Sequence, residues 1–134
     1  MSIAHRYIKI IFAFIACALI LTAAADSAAK LKWYEGGTLH KLTALDWQKA
    51  TYANKLATCA DFVAHAWVNK MLKNNVAGKL QTVDDLRPYA VDLVAFLDAA
   101  TKPEKNARKN QRLVAKQEVS ELAAQGMLLM EWLK

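Results

Sequence analysis

Tyr52-Ala53-Asn54-Lys55-Leu56-Ala57-Thr58-Cys59-Ala60-Asp61-Phe62-Val63-Ala64-His65-Ala66-Trp67-Val68-Asn69-Lys70-Met71 decides the fold. Within it Tyr52, Leu56, Cys59, Val63, Trp67 and Met71 recur at steps of four, three, four, four and four, which sets them on one stripe of an α-helix. That stripe is the expected core face. Upstream, Thr43-Ala44-Leu45-Asp46 has the form of an N-cap with an acid three residues on, so the spacing predicts one long helix from Thr43 to about Lys73. Downstream, Asn74-Asn75-Val76-Ala77-Gly78 tolerates left-handed backbone and ends it, with Lys70 and Lys73 near the negative end of the dipole.

A second helix is expected to open at Asp84 or Asp85, since either places Pro88 in the first turn, where a missing amide hydrogen costs no helical bond. Its buried face is Leu86, Tyr89, Ala90, Leu93, Val94 and Leu97. Thr101-Lys102-Pro103-Glu104 interrupts, and a third helix resumes by about Gln111 and runs to the C-terminus. Ala115, Val119, Leu122, Gly126, Leu129, Met130 and Leu133 line its inner side. No alternating apolar pattern long enough for a sheet occurs, so the expected fold is all-α, a small bundle of three major helices. Before it, Gly36-Gly37 marks a turn, and the arm ahead of that turn is expected to be mobile.

The N-terminus reads as a secretory signal peptide. His5, Arg6 and Lys9 precede the apolar run Ile10 to Leu21, and Thr22-Ala23-Ala24-Ala25-Asp26 places small residues before a cleavage point at Ala25, with Ala29 as a second choice. The apolar stretch from Ile10 to Ala25 is sixteen residues long, short of the roughly 20 needed to span a bilayer. The expected organisation is 1–25 signal peptide, 26–42 N-terminal arm and turn, and 43–134 helical domain. Location would be periplasmic or secreted, without stable membrane insertion after cleavage.

Cleavage changes the chemistry. The whole chain has 18 Lys+Arg against 12 Asp+Glu, a net +6, and loss of Arg6 and Lys9 leaves sixteen cations against twelve acids, a net +4. Cys17 leaves too, so Cys59 is a single free cysteine with no disulfide partner inside the mature chain. Cys59 and His65 are the one pair inviting a nucleophilic mechanism, yet six helical residues are roughly 600° of rotation, which turns the imidazole away from the thiol. A buried apolar thiol is the plainer reading.

Asp61 and His65, four apart, share a helical face and would orient an imidazole or offer two metal ligands, but a site needs at least one more ligand, and His40 is the only other histidine of the mature chain. Gly36-Gly37-Thr38 lacks the Gly-Lys-Ser/Thr of a phosphate cradle. Asp84, Asp85, Asp92 and Asp98 fit caps and solvated faces. The expectation is therefore a non-enzyme, with no cofactor and no metal.

Lys102, Lys105, Arg108, Lys109 and Arg112 against the single acid Glu104 make the most basic stretch of the chain. No aromatic is interleaved there, so the stacking of single-strand binders is missing and no nucleic-acid partner is expected. A solvated, flexible linker is one reading, and contact with an acidic partner or anionic headgroups is the other. The aromatics Trp33, Tyr34, Trp47 and Trp132 are numerous for so small a core, and those left at a surface would act as contact anchors. The expected partner-binding set is Trp33, Tyr34, Trp47, Trp132, Lys105, Arg108, Lys109 and Arg112.

At Thr58-Cys59-Ala60-Asp61-Phe62 the chain resembles the periplasmic acid-stress chaperones of the HdeA type, whose first helix opens with Thr-Cys-x-Asp/Glu-Phe. Asp84-Asp85-Leu86 and Lys102-Pro103-Glu104-Lys105 are loosely similar as well. The resemblance implies a small helical bundle that unmasks apolar surface in acid to hold unfolding clients. It also implies a second cysteine near Phe96 or Leu97, where this chain has none. Small exported immunity proteins of the Rap1a and Tai4 kind look equally similar. The expected function is that of an exported, non-catalytic helical protein that binds another protein, as a stress chaperone or an immunity or inhibitor protein. An accessory part of a secretion or conjugation apparatus and a small enzyme using Asp61 and His65 are the alternatives, and a homodimer stays open.

Overall fold

Helix periodicity carries through to the tertiary structure, but the first and third of the expected helices are each interrupted. The computed structural model describes residues 29–134, and the signal-peptide reading of residues 1–25, with Cys17, lies outside them. Among the described residues six α-helices occur: α1 Ala44–Lys49, α2 Tyr52–Val68, α3 Asn74–Ala77, α4 Arg87–Ala100, α5 Ala107–Val114 and α6 Val119–Leu129. A 3-10 turn over Val83–Leu86 leads into α4. Among the described residues there is no strand, only two isolated antiparallel bridges, Thr43 with Glu118 and Leu72 with Leu133. The all-α reading holds, and α2, α4 and α6, at 17, 14 and 11 residues, are the three major helices.

The expected helix from Thr43 to Lys73 breaks at Ala50 and Thr51, both with extended backbone, and Thr51 caps α2 by accepting from the Asn54 amide. Geometry gives the reason. Trp47 and Leu56 are nine residues apart, about 900° of rotation, and so would face opposite sides of one straight helix. With the break, both are buried. The core face of α2 is Leu56, Cys59, Ala60, Val63 and Ala66, while Tyr52 at its first turn is 56% exposed. The face expected for α4 is correct for Leu86, Ala90, Leu93, Val94 and Leu97, with Tyr89 half-buried. Neither Asp84 nor Asp85 caps α4, whose N-cap position is Leu86, and Thr82 holds the N-cap position of the preceding 3-10 turn. Asp85 serves three residues in, its carboxylate accepting from the backbone amides of Gln81 and Thr82.

The third helix is interrupted because its middle is used elsewhere. The Val119 amide donates to the Leu42 carbonyl, and Gln117 accepts from the Ala44 amide. These bonds pull 115–118 out of helical register and separate α5 from α6. Leu129, expected inside, ends α6 at 73% exposure.

Both long outer helices stop in the same way. After α2, the Met71 amide donates to Ala66 and the Lys70 amide to Trp67, with Lys70 left-handed at φ 56°. After α6, the Trp132 amide donates to Met127 and the Glu131 amide to Leu128, with Glu131 at φ 59°. These are two Schellman closures built without glycine. Their exits then pair, Lys73 donating to Trp132 and Lys134 to Met71.

The segment before α1 is packed rather than loose. Gly36 turns with φ +87°, and Gly37 lies so close to α2 that a Cβ there would stand 2.7 Å from the Thr58 nitrogen. The Thr38 and Leu39 amides donate to the side chains of Asn54 and Thr58. Leu31–Lys134 is accordingly one compact unit.

Candidate functional site

A mainly apolar cleft opens between α2 and α6, with titratable groups at its rim. Its volume is about 590 Å³. Asp61, Phe62, His65 and Ala66 come from α2, two adjoining rows of one face, and Ser120, Ala124 and Met127 come from α6 at steps of four and three. Small residues at Ala66, Ser120 and Ala124 leave the gap between the helices unfilled. Met71 and Leu133, brought together by the paired helix exits, close one end, and His40 and Lys41 stand at the rim.

The sequence spacing drew Asp61 to His65, but the fold gives it another partner. His40 Nε2 lies 2.9 Å from Asp61 Oδ2, and the His40 ring meets Phe62 edge-on at 5.3 Å. His65 instead sits 3.2 Å from the amide nitrogen of Asn69. The His40–Asp61 pair is half-exposed, so its contribution to stability is about 0.2–1 kcal/mol. The link spans 21 residues and no local spacing announces it. Met71 and Leu133 were expected on buried helix faces and Phe62 only within the five-residue motif, while Met127 drew no expectation, and none of the four was expected to line a cleft. The one available signal was the doubling of Met and Leu near both helix exits.

Cys59 lies on the other side of α2, fully buried. Burial pushes its thiol well above the ordinary range, and the charge of Asp98 raises it further. The thiol is thus enclosed in the core, away from the cleft that His65 lines. The set Cys59, Asp61 and His65 is not one site. Asp98 has structural duties instead, accepting from the Trp47 indole at 2.9 Å and from Lys55 at 2.7 Å.

Two of the eight expected contact residues are corrected to core residues. Trp47 is fully buried, its indole N–H satisfied by Asp98, and Trp132 is buried with its ring edge-on to Tyr89 at 5.1 Å. A fold with helices this short still encloses both, because the helix breaks let α1 and the C-terminal exit fold back over the bundle. Trp33 and Tyr34 are half-buried. The Trp33 indole donates to Asp84 at 2.9 Å, and the Arg87 guanidinium lies over its ring. Trp33 thereby fastens the arm to the start of α4, and the Tyr34 ring stands edge-on to it at 5.5 Å.

Lys105, Arg108, Lys109 and Arg112 are exposed. The stretch read as a flexible linker is helical from Ala107 onward, and Asn110 fixes it. Its side-chain amide exchanges two hydrogen bonds with that of Gln48, at 2.7 and 3.0 Å, and its oxygen also accepts from the Glu104 backbone. Gln48 in turn donates to the Thr101 carbonyl.

No protein-family model, curated protein or solved structure matches this chain. The likeness at Thr58-Cys59-Ala60-Asp61-Phe62 thus rests on those residues alone. In the structure they divide, with Thr58 and Cys59 in the core and Asp61 and Phe62 in the cleft.

Proposed function

We infer that this chain is an exported, non-catalytic binding protein whose apolar cleft receives a segment of another protein. The observation that carries the reading is the cleft between α2 and α6, walled by Phe62, Met71, Met127 and Leu133 and rimmed by the His40–Asp61 pair. Methionine adapts to irregular apolar partners, and such grooves accept the apolar face of an amphipathic helix. The rim supplies polar groups that orient the occupant.

Export rests on the leader-like pattern of residues 1–25. Mass spectrometry of the protein purified from the cell envelope should find Asp26 as its first residue. An intact Met1 would remove the compartment from this reading.

The cleft is tested by placing a photo-reactive phenylalanine analogue at Met71, which is 43% exposed within it, and at Val91 on the outer side of α4 as a control. Irradiation in living cells should give one discrete adduct from Met71 and none from Val91. No adduct at Met71, or the same adducts at both, would sink the cleft reading. A subunit of a secretion or conjugation complex in the adduct would recast the protein as an accessory of that apparatus.

A further inference from the structure

The domain's net positive charge is concentrated in one place, and that place is not the cleft. Between Lys102 and Lys116 stand six cations and one acid, whereas the rest of Leu31–Lys134 has nine cations and ten acids. All of the net positive charge therefore sits on α5 and its flanks. Within this stretch Arg108 and Arg112, one helical turn apart, line a shallow cavity of about 540 Å³ together with Lys116, Gln111 and Ala115. No acidic residue lines it. Among the described residues Lys109 pairs with Glu104, while Arg108, Arg112 and Lys116 have no ion-pair partner.

Like charges one turn apart repel, and that repulsion persists here without a counter-charge from the fold. The orientation is held all the same, because Asn110 and the buried Val114 fix the opposite side of α5. The basic row is thus presented outward on a pinned element.

We propose that the Arg108–Arg112–Lys116 face docks an acidic segment of a partner protein, its Asp and Glu carboxylates taken up by the two guanidinium forks and the lysine. This rests on the reading of the chain as a protein-binding module and adds a second contact to it. Guanidinium forks match carboxylates with two parallel hydrogen bonds, and the face is concave rather than flat. Leu113, 51% exposed on the same helix, offers an apolar contact beside the charges. A lipid surface fits less well, because interfacial helices insert a broad apolar face, whereas α5 exposes Leu113 as its one large apolar side chain and buries Val114 in the core. Nucleic acid lacks the aromatic platforms it would stack on.

The test titrates the protein with a fluorescent Glu- and Asp-rich peptide of about twelve residues, long enough to pass the three cations in helical or extended form. Parallel titrations use vesicles containing phosphatidylglycerol and a single-stranded oligonucleotide. Saturable peptide binding should weaken at least tenfold in R108E/R112E and by less than about twofold in K32E/K79E, which makes the same change in net charge elsewhere. R108Q/R112Q should fall between the two and serves if the reversed variant does not fold. Equal losses in both charge-reversal pairs, absence of saturable peptide binding, or tighter binding to vesicles or oligonucleotide would overturn the proposal. A protein captured at Met71 that binds R108E/R112E as well as wild type leaves the cleft reading standing and removes this one.

Discussion

Trp47 shows how a single side chain ties α1 to the bundle. Its ring is enclosed, its indole hydrogen is satisfied by Asp98, and the Lys55 ammonium lies 5.3 Å from its centre. Trp47→Ala should cost about 3–5 kcal/mol through lost contacts and the cavity left behind, measured by urea denaturation. A cost under 1 kcal/mol would return Trp47 to the surface. Asp85 makes a different kind of contribution. Its carboxylate accepts from the Gln81 amide, the Thr82 amide and the Thr82 hydroxyl, and these bonds hold its pKa below the ordinary carboxylate value. A depressed carboxylate stabilises the fold above its unfolded pKa, and that stabilisation is lost as pH falls through the folded value, here below about pH 4. Asp85→Asn should therefore lower the melting temperature at pH 7, with the gap to wild type closing as pH drops below about 4. A gap independent of pH would mean that the charge contributes nothing.

At the scale of elements, the two Schellman closures decide where chain segments go. Each places a residue with a side chain in left-handed backbone, at Lys70 and Glu131, and this costs about 1–2 kcal/mol relative to the right-handed form. Lys70→Gly removes that strain at some entropic expense in the unfolded chain, so a net gain of about 0.5–1 kcal/mol is expected in chemical denaturation. A loss would show that the Lys70 side chain makes a contact outweighing the strain. Neither closure was legible in the sequence, because Asn74 to Gly78 was the glycine-bearing stretch and drew the expected helix end beyond Lys70. The N-terminal signals fared better. Thr43 with Asp46 opens α1 as read, since a cap is a local hydrogen-bonding device and leaves a local pattern.

For the molecule as a whole, the paired helix exits join α2 and α6 at one end of the cleft. Deleting Leu133 and Lys134 removes the Lys134-to-Met71 bond, the Leu72–Leu133 bridge and one cleft wall. A destabilisation of about 1–3 kcal/mol is expected, together with loss of the Met71 photo-adduct. An unchanged adduct would mean that the occupant does not touch that wall. By itself the sequence determined the helical class and the buried face of α4, because the 3.6-residue period is written into consecutive positions such as Leu86, Ala90, Leu93 and Leu97. It also determined the concentration of charge between Lys102 and Lys116. Tertiary structure alone decided that Asp61 meets His40 rather than His65, that Trp47 and Trp132 go inside, and that α5 is pinned by Gln48 instead of swinging free. Those outcomes depend on contacts between residues 21 to 62 positions apart, such as His40 with Asp61, Trp132 with Tyr89, Trp47 with Asp98 and Gln48 with Asn110. No periodicity encodes such pairs. They follow from how broken helices fold back to bury their apolar sides.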